Sequence, residues 1–92
     1  MLEDDVKFRI TVKSTKDGEP CYAGHKPGDT FECGYLTPEG LCGWAYHSLY
    51  PFIHALRHTK SYEDEDYRLV KKDTVEVACP DNAWVIFKIE KL

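Results

Sequence analysis

The sequence predicts an α+β fold, a mainly antiparallel sheet or small open barrel of order β-β-α-β-β with one Pro-kinked helix packed on it. Two period-two segments open the chain and two close it, with one stretch of helical spacing between them. No repeat and no linker interrupts the 92 residues, so residues 1–92 read as one domain.

Val6, Phe8, Ile10 and Val12 alternate with Lys7, Arg9, Thr11 and Lys13, the pattern of a strand with one wet face. Asp17-Gly18-Glu19-Pro20 breaks that pattern as a turn. Cys21 to Pro27 is irregular, and Gly24 offers a positive-φ position that folds the loop back between Cys21 and His25. Pro27-Gly28-Asp29 then feeds a second strand, Thr30 to Cys33, with Phe31 and Cys33 on its inner face.

Thr37-Pro38-Glu39 is a helix start signal, with Thr37 as N-cap and Pro38 in the first position. Gly40 weakens it and moves the expected start towards Leu41. From Leu41 to His58, Leu41, Ala45, Leu49, Phe52 and Leu56 share one face, flanked by Cys42 and Ile53. His47, Tyr50, His54 and His58 fall opposite. Pro51 cannot donate to the His47 carbonyl, which predicts a kink or two short helices joined at Tyr50-Pro51.

Thr59 to Lys72 is polar, contains Glu63-Asp64-Glu65-Asp66 and reads as a mobile loop. Val75, Val77 and Cys79 line one face of the third strand, which Pro80 ends and Asn82 turns. Val85, Phe87 and Ile89 share a face of the last strand, while Trp84 and Ile86 take the other. Apolar groups on both faces suit a central or covered strand.

Composition narrows the function classes. The chain is 42% apolar, 30% charged and 13% aromatic, which excludes a disordered polymer. The net charge is −4 and no basic stripe appears, so no nucleic-acid partner is expected. No apolar run approaches membrane-spanning length, and the acidic start lacks a signal-peptide pattern. The expectation is a cytoplasmic protein with four reduced thiols.

Three of those thiols lie in short structured stretches: Cys21-Tyr22-Ala23-Gly24-His25, Gly40-Leu41-Cys42-Gly43 and Cys79-Pro80-Asp81. Together with Leu49-Tyr50-Pro51, with Gly28-Asp29 and Phe31, and with Asp73 to Ala78, they resemble the signature of an uncharacterised family of small microbial single-domain proteins. The resemblance covers Cys21 to Asp81 and implies a small domain with cysteines in these segments, without implying an activity. Cys33 lies outside that signature and reads as core.

The residues themselves support three readings. Cys21, Cys42 and Cys79 with His25 form a Cys₃His set for zinc or iron, structural or supporting small-molecule chemistry. Against that stands the lack of any C-x-x-C knuckle. Alternatively the chain is an enzyme with a reactive Cys42 or His25 in an aromatic-lined pocket. Cys42 lies near a helix start, where backbone N–H groups favour a thiolate, and His25 or His47 offers a base. The third reading is a non-catalytic homo-oligomeric module with buried cysteines. His54 and His58 have helical metal-ligand spacing but lack the Glu of H-E-x-x-H, so a solvated face is the expectation. Glu63 to Asp66 lacks the ligand spacing of a calcium loop. Asp29 and Asp81 read as turn carboxylates that would lie beside the thiols if the thiols converge. Tyr22, Tyr35, Trp44, Tyr46, Tyr50 and Trp84 are the aromatics available to wall a pocket for a small molecule.

Overall fold

The computed structural model describes residues 6–58, 70–71 and 74–92. Its elements are β1 (Phe8–Thr15), β2 (Thr30–Cys33), α1 (Gly43–His58), β3 (Val70–Lys71), β4 (Thr74–Ala78) and β5 (Val85–Lys91), with a short 3₁₀ turn at Lys16–Gly18. The expected order holds, with the two-residue β3 added. The predicted loop over Thr59 to Lys72, including Glu63 to Asp66, lies outside the described residues except for Val70 and Lys71.

The strands form one open antiparallel sheet in the order β2-β1-β5-β4-β3. The last strand in the chain is therefore the central one, as the apolar groups on both of its faces suggest. Register places Phe31, Ile10, Ile89 and Val75 in one cross-strand row, and Val12, Phe87 and Val77 in the next. Such rows join strands distant in sequence through direct side-chain contact. The opposite face carries Lys13–Glu76 at 2.6 Å and Arg9–Glu32 at 3.5 Å. One apolar and one charged face is the pattern of a sheet covered on a single side.

Helix α1 is that cover. Ala45, Leu49, Ile53 and Leu56 are buried, together with Phe8, Ile10, Val12, Val75, Val85, Phe87 and Ile89 from the sheet. Burying each large aliphatic side chain contributes about 1.5–3 kcal/mol. Phe52, expected in the stripe, is 41% exposed. Ile53 takes the inner position instead. The helix runs through Pro51 as one element rather than splitting at Tyr50-Pro51. Pro51 and His47 are both exposed, so the carbonyl that loses its partner faces water.

The helix begins at Gly43, five residues after the start signal at Thr37-Pro38. Gly40 adopts φ of +86°, which breaks any helical path from Pro38. The Cys42 carbonyl accepts the first helical bond, from the Tyr46 N–H at 2.9 Å, which makes Cys42 the N-cap.

Strands β4 and β5 are joined by a tight turn. The Trp84 N–H donates to the Asp81 carbonyl at 3.0 Å, and the two central residues, Asn82 and Ala83, have φ of +53° and +57°. Two positive φ values define the primed hairpin turn, which matches the twist of the flanking strands. Asn suits the first central position, whereas Ala at the second carries steric strain that Gly lacks. Ala83→Gly is expected to raise stability by about 0.5–1 kcal/mol, read as a higher urea midpoint at unchanged slope. A lower midpoint would mean that the turn does not hold this backbone.

Candidate functional site

Loop 21–25, the start of α1 and the β4–β5 turn surround one cavity of about 340 Å³. Each wall has a local cause. In the loop, the Gly24 N–H donates to the Cys21 carbonyl at 2.8 Å, and the Cys21 N–H donates to the His25 carbonyl at 3.1 Å. Gly24 at φ of +90° allows that reversal, as its place between Cys21 and His25 predicts. The following residues are laced to β1: the Gly28 N–H donates to the Val12 carbonyl, and the Val12 N–H to the Asp29 carbonyl.

His25 connects this loop to the helix. It is 6% exposed and is the buried polar side chain among the described residues. Its Nε2 accepts the backbone N–H of Cys42 at 3.0 Å. An accepting Nε2 carries no proton, which places the ring proton of the neutral imidazole on Nδ1. The ring stands edge-on to Phe31, with centroids 5.2 Å apart, and to Phe87 at 6.4 Å.

The turn supplies the third wall. The Cys79 N–H donates to the Val85 carbonyl at 2.9 Å, while the Val85 N–H donates to Cys79 Sγ at 3.3 Å. Cys79 Sγ also lies 3.9 Å from the Asp81 carbonyl, as a weak donor. Trp84 is steered by its indole N–H, which donates to the Glu19 carbonyl at 3.3 Å, and Lys16 Nζ stands 5.5 Å from its ring.

All four candidate metal ligands, Cys21, His25, Cys42 and Cys79, line this one cavity. Their distant segments do converge. Among the described residues, however, no group of three or more His, Cys, Asp or Glu side chains is arranged to hold a metal ion. Two of the four have protein partners, His25 through Nε2 and Cys79 through Sγ. The Sγ atoms of Cys21 and Cys42 have no hydrogen-bond partner among the described residues.

Of the aromatic candidates, Tyr22, Trp44 and Trp84 line the cavity, whereas Tyr35, Tyr46 and Tyr50 do not. Tyr22 and Trp44 stay exposed at its rim. Phe87, Val85 and Ala45, readable from the pattern only as core, form its floor. Cys33 is buried outside the cavity beside Tyr46, whose phenol is pushed above its ordinary range, first by burial and then by that thiol. His47 and His54 are exposed on the outer helix face and do not line the cavity, with the Tyr50 and His54 rings 6.0 Å apart. The side chain of His58 lies outside the described residues.

The two carboxylates separate. Asp81 lines the cavity, while Asp29 does not. Asp29 instead accepts the Lys26 N–H at 3.0 Å, and that bond holds its carboxyl below the ordinary aspartate range.

Replacing His25 by Ala removes the acceptor for a part-buried amide and leaves a void against Phe31 and Phe87. The expected loss is about 2–4 kcal/mol of unfolding free energy at neutral pH, measured by urea titration. A loss near zero would show that the bond does not hold the loop on the helix.

No helix of the described residues is long and apolar enough to cross a membrane. No family model, curated protein or solved structure matches the chain.

Proposed function

We propose that the chain binds a small, largely apolar molecule in the cavity between loop 21–25, the start of α1 and the β4–β5 turn. The observation that supports this reading is the cavity itself. At about 340 Å³ it falls within the size range of small-molecule sites, roughly 300–1,000 Å³, and its walls are mainly apolar. Trp44, Trp84 and Phe87 supply flat aromatic surface, and Asp81, Cys21 and Cys42 supply polar or polarisable contacts. An uncharged aromatic compound of fragment size suits such walls.

The test is a titration with 2-naphthol followed by backbone amide and indole NMR shifts. Saturable shifts centred on Cys21, Cys42, Trp84 and Val85 are expected. Ala45→Leu, which places extra methyl groups at the floor, is expected to weaken binding at least about tenfold, the equivalent of 1.4 kcal/mol. Thermal unfolding of that variant separates filling from misfolding. Shifts scattered over the outer helix face, or none, would end the proposal.

A second reading has a specific observation in its favour. Three cysteines and a histidine line the same cavity, and thiolates with imidazole suit zinc or iron. In this reading the metal site is Cys21, His25, Cys42 and Cys79, and its formation requires His25 and Cys79 to exchange their present hydrogen bonds for the ion. Elemental analysis of anaerobically purified protein decides it. Zinc or iron near one per chain, lost in Cys21→Ser or Cys42→Ser, supports the site, and absence of both elements rejects it.

A further inference from the structure

We propose that the ligand class of this cavity is the soft, apolar electrophile, an enone or quinone type of molecule, captured covalently by Cys42. The inference rests on the small-molecule reading of the cavity and adds chemistry to it.

Three thiols line one apolar cavity, and they are not equivalent. Cys79 Sγ is already engaged, accepting the Val85 N–H at 3.3 Å and lying 3.9 Å from the Asp81 carbonyl. Cys21 and Cys42 have no hydrogen bond at sulfur among the described residues. Both residues are half-buried and line the cavity. Cys33, the remaining cysteine, is buried outside the cavity. The site is therefore a cavity with two unpaired soft nucleophiles in its wall and aromatic surface around them.

Cys42 is the better placed of the two. Both backbones are hydrogen-bonded, but Cys42 is held at the helix, its N–H on His25 Nε2 and its carbonyl on the Tyr46 N–H, whereas the bonds of Cys21 stay within loop 21–25. A held backbone positions sulfur against a bound ligand at lower entropic cost. Ala45, one turn further along α1, lines the same cavity.

The reaction balances without a co-reactant. The Cys42 thiol loses its proton to water, and sulfur bonds to the β-carbon of the activated alkene. The alkene π pair moves to the α-carbon, and water returns a proton there. The net change is addition of S–H across C=C, with no oxidant and no leaving group. His25 needs no part in it, because its Nε2 is occupied by the Cys42 amide.

Two maleimides with the same reactive alkene test the inference: N-phenylmaleimide and N-(2-carboxyethyl)maleimide, each normalised to its rate with glutathione. The folded protein is expected to react at least about tenfold faster with the phenyl probe, at a single site that peptide mapping assigns to Cys42. Cys42→Ser is expected to lower that rate at least tenfold, and Cys33→Ser, at a residue buried outside the cavity, is expected to leave it unchanged. Equal normalised rates, first labelling at Cys21, or full reactivity in Cys42→Ser overturns the inference. Naphthol binding with unselective labelling rejects the covalent step alone. Absence of naphthol binding in the unmodified protein rejects it together with the small-molecule reading.

Discussion

A single hydrogen bond, from the Cys42 amide to Nε2 of His25, joins the parts that matter. It links an irregular loop to the N-cap of α1, across seventeen positions of sequence. Both ends are anchored elsewhere. The loop is laced to β1 through Gly28 and Asp29, and the helix lies on the sheet through Ala45, Leu49, Ile53 and Leu56. The imidazole fills the space between Phe31 and Phe87, so it serves as a packing group and as an acceptor together. A buried imidazole nitrogen without a partner would be costly, and so would a part-buried amide; His25 Nε2 and the Cys42 N–H satisfy each other.

The cavity follows from that arrangement. Its walls come from three segments whose backbone groups are largely bonded among themselves, which leaves side chains rather than peptide groups to meet a ligand. Loop 21–25 closes on its own hydrogen bonds, and the β4–β5 turn is closed by Cys79 and Val85. What remains inside is apolar and aromatic surface with sulfur. Binding to such a surface draws on area and polarisability, and selectivity depends on shape.

Much of this was legible in the sequence, because it is local. Alternation in β1, β4 and β5 assigns the inner residues correctly, since successive side chains of a strand must alternate faces. The spacing of Ala45, Leu49 and Leu56 marks the helix, and Cys33 is core as read. The inward placement of Cys42 and Cys79, with Cys21 and His25 in one loop, anticipated that the four residues line one cavity, though not as a metal-holding group. The chemistry of the meeting was not legible. Whether His25 faces an ion or an amide depends on where the helix starts, and the start signal at Thr37-Pro38, even moved to Leu41, falls two residues before Gly43. Gly40 and the capture of the Cys42 amide override that local preference. The bond from Val85 to Cys79 Sγ likewise depends on the primed turn at Asn82-Ala83, which an Ala in the second position conceals.

The most direct test is the protonation pattern of His25 itself, read from nitrogen-15 shifts and two-bond couplings of the imidazole at neutral pH. The account predicts the neutral form with the proton on Nδ1, and a coupling across the hydrogen bond from the Cys42 amide to Nε2. A proton on Nε2, with no coupling to Cys42, would contradict it, because the loop and the helix would then lack the bond that brings the cavity walls together.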